Sequence, residues 1–442
     1  MRNFSDVFAK PGVRRCSRLT SWIPALLLFA SVPAGAQDLS RNTFSFSGFG
    51  TVGVVGKTGA RDWGFTRNST QLGAGSDLSA APDSRLGGQV NWSGGSPWEA
   101  AVQGVLMSRP GQVPVRDVVE QAYLGYRPLP DTRIRLGRTS ADIFLYADSR
   151  NVGYAFPWAR PPVDFYGFAP LTSIDGIDLE QRWNTGDATW RARATAGSLR
   201  TSVADANGSR IPVRASEILA VGLSRESNGL LVKLSYLRGQ IELSTDPGVL
   251  ALRRGLEDLR AVPVPGLGRQ IDLLGNNLWT GGITSYMAVA AQYDRGPWTL
   301  IAEGSQLSVP DSPLDARRAY VSLGWRKNAV TYYGIASRVK PQDRARAEPD
   351  LASALAPAVG SAAAQQAQML AGYATAAASN YRFDQSTVGA GFRWDFAANA
   401  ALKFQVDRFN VRQNGGAGWR HHDGQAAKGT LVSVLVDFVW GP

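Results

Sequence analysis

From Thr43 onward the chain alternates apolar and small or polar residues with a period of two, the signature of β-strands. In the first segment Phe44, Phe46, Gly48, Gly50, Val52 and Val54 share one face, and Ser45, Ser47, Thr51 and Gly53 sit with Phe49 on the other. That makes a strand of about twelve residues, long for a soluble sheet and suited to a tilted membrane span, which needs about 9 to 11. Ile134 and Leu136 alternate with Arg133, Arg135 and Gly137. Trp190, Ala192, Ala194 and Ala196 alternate with Arg191, Arg193 and Thr195, and Ala319, Val321, Leu323 and Trp325 with Arg318, Tyr320, Ser322 and Gly324. One face is oily and the other polar. Taken strand by strand, this also fits a soluble sandwich, whose oily face meets a second sheet.

The connections separate the two cases. Short turn signals fall at Ser93–Pro97, Arg127–Asp131, Asn184–Asp187, Glu226–Gly229, Asp294–Pro297, Arg326–Ala329 and Ala397–Ala400. Between them lie longer excursions at roughly 56–84, 108–117, 139–174, 198–216, 239–281, 307–317, 339–383 and 413–429. Seven short and eight long connections join sixteen strands and leave both termini on the short-turn side. Such alternation is the layout of an outer-membrane barrel. Trp92, Trp98, Trp183, Tyr293, Trp298, Trp325 and Trp394 fall at strand ends, where interfacial girdles belong. The predicted fold class is therefore all-β, a transmembrane antiparallel barrel of about sixteen strands.

Composition agrees: 48 Gly, 13 Trp, 13 Tyr and 17 Phe in 442 residues accompany a mean hydropathy of -0.16. A helical membrane protein would need apolar runs of about 18 residues or more, whereas a barrel hides its apolar content in every second position. Residues 1–36 read as an export signal. Arg2, Lys10, Arg14, Arg15 and Arg18 precede the apolar run from Trp22 to Ala30, and Ala34-Gly35-Ala36 places cleavage before Gln37. Cys16 lies inside the signal, so the barrel domain, 37–442, is cysteine-free. Removing the signal's five basic residues and Asp6 from the 47 basic and 36 acidic residues leaves a net charge of about +7. These charges are scattered, not clustered as a nucleic-acid surface would be.

The last strand puts Val432, Val434, Val436, Phe438 and Trp440 on one face, followed by Gly441-Pro442. With the opening strand Phe46-Ser47-Gly48-Phe49-Gly50, the long third loop and the penultimate segment Gly391-Phe392-Arg393-Trp394-Asp395-Phe396, the chain resembles the Gram-negative trimeric porins over essentially its whole mature length. The resemblance implies a homotrimer in the outer membrane, in contact with its lipid and lipopolysaccharide, that passes small hydrophilic solutes. It also implies that the third loop, 139–174, folds into the barrel and narrows it.

That loop carries Asp142, Asp148, Arg150, Arg160 and Asp164, with Tyr154-Ala155-Phe156-Pro157-Trp158 and Pro161-Pro162 to stiffen it. Facing it, the inward positions of the fifth to seventh strands offer Arg133, Arg135, Arg182, Arg191 and Arg193 against Asp178 and Glu180. Lys233, Arg318, Arg326, Arg393 and Lys403 are further inward cations. An exposed guanidinium row would favour anions, small carboxylates included; the competing arrangement pairs these arginines with wall acids. No catalytic constellation, metal set or cofactor motif stands out. His421 and His422 are adjacent, with only Asp423 beside them, and Gly48-Phe49-Gly50-Thr51-Val52-Gly53 lies within a strand. The alternatives to a channel are an exported soluble β-sandwich binding protein and an outer-membrane barrel enzyme. Within 339–383, the alanine-rich 345–380 predicts a short helix in an external loop.

Overall fold

A computed structural model describes residues 43–60, 62–74, 76–94, 97–168, 172–205, 208–244, 247–342, 348–379 and 381–441; the signal segment with Cys16, and its cleavage point before Gln37, lie outside them. Sixteen strands of nine residues or more form one antiparallel sheet. They are β1 (Thr43–Gly59), β2 (Arg85–Ser93), β3 (Trp98–Met107), β4 (Val119–Leu129), β5 (Thr132–Ser140), β6 (Ser173–Thr185), β7 (Ala188–Ala204) and β8 (Arg210–Ser227). The second half comprises β9 (Leu230–Leu243), β10 (Gly281–Arg295), β11 (Trp298–Ser308), β12 (Ala316–Lys327), β13 (Val330–Pro341), β14 (Phe383–Ala397), β15 (Ala400–Gly416) and β16 (Ala427–Trp440).

Each strand pairs with its sequence neighbour, and β1 pairs with both β2 and β16, through Phe46↔Val90 on one edge and Val52↔Val436 on the other. The sheet thus closes on itself and leaves no free edge among the sixteen, which is how a spanning sheet satisfies its backbone. A two-sheet sandwich is excluded by this closure. The outward positions are exposed apolar residues around the whole wall: Phe46, Val52, Leu136, Ile177, Leu234, Met287, Leu323, Val388 and Val434 among them. A continuous apolar belt of this extent belongs in lipid. At the short-turn end, Trp98 meets Tyr126, Trp183 stacks on Trp190, Trp298 contacts Trp325 and Phe438 stacks on Trp440, forming an aromatic girdle.

Short turns follow their chemistry. Asn228 and Gly229 both have positive φ, 51° and 77°, as a two-residue type I′ hairpin turn demands. The excursion expected at 198–216 is instead a tight hairpin: β7 runs to Ala204, β8 restarts at Arg210, and a bulge at Ser216/Leu219 absorbs the irregularity that reads as loop in sequence. Single-turn helices α1 (Val115–Val118) and α2 (Val163–Tyr166) accompany the second and third long connections, and the seventh holds not one short helix but two, α5 (Leu351–Val359) and the nineteen-residue α6 (Ser361–Ser379). The fifth contributes α3 (Pro247–Asp258) and α4 (Leu267–Asn277), which the β-pattern does not announce. Helices α3 to α6 share an apolar core of Leu256, Ile271, Leu274, Leu355, Ala367 and Ala371, separate from anything inside the barrel.

Candidate pore constriction

The third long connection leaves the top of β5 and crosses to the opposite wall. The Leu145 amide donates to Glu303 on β11 (2.9 Å), and Trp158 Nε1 to Ser322 Oγ on β12 (2.8 Å). Lys403 on β15 donates to the Gly153 carbonyl (2.7 Å) and Arg393 on β14 to the Tyr154 and Phe156 carbonyls (2.6 and 3.0 Å). Tyr154 Oη reaches the Ala398 carbonyl in the β14–β15 short turn at 2.9 Å. All these partners sit on the inward phase of their strands or at the short-turn rim, so the loop lies within the barrel. Gly153 is required at its tip, since a Cβ there would stand 2.0 Å from Asp437 Oδ1.

Apolar packing holds the crossing. Phe144, Phe156, Trp158 and Phe165 are buried against Ile218, Leu237, Tyr286, Ile301, Tyr320 and Ile335. These six point inward from β8 to β13. The inner face is charged along β5 to β7, whereas on β8 to β13 the inward Lys233, Glu303 and Arg318 are set in a largely hydrophobic bed for the loop. The signal was present in β9, where both phases are apolar: Leu234 and Tyr236 outward, Leu237 and Ile241 inward.

Two residues expected to line the passage are anchors instead. Arg160, 2% exposed, donates to Asp83 through Nε and Nη2 (3.0 and 2.6 Å) and to Ser433 Oγ (2.5 Å), with Asp407 at 3.4 Å. Asp164 is fully buried; it accepts from Ser337 (2.8 Å), Gln385 (2.5 Å) and Thr387 (3.1 Å), and burial raises its carboxyl above the usual carboxylate range. Such full hydrogen bonding is what lets a carboxyl sit buried between loop and wall.

Most of the remaining predicted residues form one network on the near wall, Arg133 and Arg150 pairing beside it, and the arginines are paired. Asp178 accepts from Arg135 Nε (2.7 Å), Arg193 Nε (2.6 Å) and Thr195 Oγ1 (2.6 Å). Glu180 takes Arg191 (2.9 Å) and Arg182 (2.8 Å), and Arg133 pairs with Glu99. From the loop side, Asp142 meets Lys233 (2.5 Å) and Arg191 (3.4 Å), and Asp148 meets Arg193 (3.2 Å). Burial alone would raise the Asp148 carboxyl, but Arg193, the Ser140 hydroxyl and Arg191 outweigh it and hold the group well below the usual range. Arg150 binds Glu120 and the Thr172 carbonyl, tying the middle of the loop to its C-terminal end and to β4. No open guanidinium row remains on β5 to β7.

The uncompensated positive charge lies elsewhere. A cleft at the long-loop end is lined by Arg67, Arg85, Arg109, Arg116, Arg138, Arg150 and Arg200 with Asp117 and Glu120, and loop residues Phe144, Pro161 and Tyr166 form one side; Asp175 pairs with Arg138 (2.6 and 2.7 Å), and Glu120 serves both Arg109 and Arg150. Alternation analysis missed Arg67, Arg85 and Arg109 because they come from three separate segments: the first long loop, the first residue of β2, and the β3–β4 connection. His421 is exposed and His422 is half-buried beside Trp63, ring centroids 5.9 Å apart.

No protein-family model matches the chain, and no curated protein matches its sequence. Among solved structures, it is similar to the outer membrane channel DcaP of Acinetobacter baumannii, at 13% identity over 92% of this chain and 100% of that one, TM-score 0.49. It is also similar to the outer-membrane protein OmpT of Vibrio cholerae (11%, 92% and 99%, TM-score 0.48) and to an anion-selective porin from Comamonas acidovorans (11%, 90% and 100%, TM-score 0.46).

Proposed function

We propose that the protein is an outer-membrane diffusion channel of the porin type, without enzymatic activity, passing small hydrophilic solutes and favouring anions. The observation that carries this reading is a closed sixteen-stranded barrel, apolar outside, whose interior is crossed by a loop anchored on the far wall and flanked by an arginine-lined cleft. With Arg138 paired to Asp175, the other six arginines of the cleft face Asp117 and Glu120, which leaves it a net positive charge. Fixed positive charge beside a narrow, poorly screened passage raises the local anion concentration and lowers the barrier to entry. Arg135, Arg182, Arg191 and Arg193 do not supply this field, because Asp178, Glu180, Asp142 and Asp148 neutralise them; the excess of arginine over acid in the cleft does.

On this reading the protein enters the outer membrane of a Gram-negative cell after removal of its signal, works as a homotrimer, and contacts lipid and lipopolysaccharide through its outward belt. Reversal potentials across a planar bilayer in a salt gradient test the charge preference. Anion selectivity is expected at low salt and should fade at about 1 M, where the Debye length is near 3 Å. Cation selectivity at low salt would overturn it.

A further inference from the structure

We propose that the arginine cleft is a saturable binding site for a small dianionic oxyanion, with a short dicarboxylate as the favoured occupant. The inference rests on the channel reading and adds to it a recognised solute. Arg67 and Arg85 are 7% and 6% exposed, yet Arg67 Nη1, Arg85 Nε and Nη2, and Arg109 Nε are buried without a hydrogen-bond partner among the described residues. Buried guanidinium donors are normally satisfied, and each unmet one is costly. Four such donors on three arginines lining one cleft point to an acceptor that arrives from outside.

Most acceptors of the neighbouring acids are already engaged, and one oxygen of Asp117 is not. Glu120 binds Arg109 through one oxygen (3.2 Å) and Arg150 through the other. Asp117 accepts from Arg210 (2.9 Å) and Ser202 (3.2 Å) through one oxygen, while its other oxygen has no hydrogen-bond partner among the described residues and lies 4.0 Å from Arg116 Nε. Asp83 lies 3.8 Å from Arg67 but is engaged by two nitrogens of Arg160. Burial, offset by Asp83 and deepened by Arg160, lowers Arg67 to about 10, so it stays charged at neutral pH.

The chemistry of the occupant follows from the donors. Planar guanidinium forks match oxyanions that accept in pairs, and several forks at once call for an anion with two charges and several oxygens. A spherical halide or a single carboxylate leaves most of these donors unmet. Met107, Phe144, Pro161 and Leu199 add apolar surface in the same cleft, against which a short carbon chain can lie. Inorganic phosphate presents the same charge and acceptor geometry without that chain.

The test uses the purified channel in a planar bilayer with potassium chloride as carrier, titrated with succinate, inorganic phosphate or acetate. Succinate should reduce the chloride current to a saturating level, phosphate should do so at higher concentration, and acetate should leave it unchanged. Arg85→Gln and Arg67→Gln should each raise the half-blocking succinate concentration by about tenfold, as expected for loss of one charge-assisted hydrogen-bonding partner. Arg408→Gln, on the exposed outward side of β15, should change nothing. Each variant is first checked for heat-modifiable migration. Arg67→Lys, which keeps the charge and loses the fork, should show an intermediate loss and serves if a Gln variant fails to fold. Tighter block by phosphate than by succinate would overturn the dicarboxylate assignment. An anion-selective channel with no saturable block by either would overturn the site and leave the channel reading standing. A cation-selective or non-conducting protein would instead overturn the reading beneath it.

Discussion

Asp178 and Glu99 each hold arginines on the inner wall, but their environments give them different weights. Asp178 is 1% exposed and joins Arg135, Arg193 and Thr195. Removing its charge strands two buried guanidinium groups, so Asp178→Asn should destabilise the barrel by about 3 to 5 kcal/mol. Arg133→Gln, at the more accessible Glu99 pair, should cost about 1 kcal/mol or less. Urea unfolding followed by heat-modifiable migration measures both; equal losses would mean that Asp178 is solvated. A second contrast tests facing. Val434→Arg places a charge on the exposed apolar belt and should cost about 2 to 4 kcal/mol near the midplane, while Gln89→Arg, on the inward phase of β2, should be much milder. Facing inward is not the same as being free, however. Ser322 points inward but is 2% exposed under Trp158, so an arginine there would displace the loop. The facing of Val434 and Ser322 follows from alternation, because lipid contact imposes a period of two along every strand. The cover over Ser322 is not legible that way, since it comes from a residue 164 positions distant.

At the scale of elements, the third loop is held by apolar burial and by ion pairs, and the two respond differently to perturbation. Trp158→Ala removes a fully buried indole and should cost about 3 to 5 kcal/mol while loosening the crossing, raising the unitary conductance. No rise in conductance would mean that this stretch does not narrow the passage. Acid should act less. Asp148 is depressed relative to the unfolded chain, so its contribution is present above the ordinary carboxylate range and is lost only as pH falls through its lower folded value. Conductance should therefore be steady from pH 7 to pH 5, and gating that begins near pH 5 would contradict this ion-pair attachment. The helical loops make a separate unit. Deleting residues 351–379 should preserve heat-modifiability and lower helical circular dichroism by more than the deleted length, because α3 and α4 lose the apolar partners Leu355, Ala367 and Ala371. The alanine-rich run announces α6 through helix propensity alone. The amphipathic α3 and α4 are obscured because their apolar residues face other loop helices, not the barrel.

For the whole molecule, the sixteen-strand count was legible because short turns and long excursions alternate strictly, even though one excursion proved to be a hairpin with extended strands. Barrel closure makes those strands mutually dependent, while the interior divides into a packed part, β8 to β13 with the loop, and a charged part, β14 to β16 and on through β1 to β7, with the cleft. The cleft was hidden in sequence for the same reason that it exists: closure brings together Arg67, Arg85, Arg109 and Arg150 from segments with no common periodicity. The most direct test of the central claim is the unitary conductance of the purified protein in a planar lipid bilayer. The structure predicts discrete, long-lived steps that grow with salt concentration and come from a passage narrower than the barrel wall. A protein that inserts and migrates as a folded barrel, yet gives no conductance steps, would contradict the account.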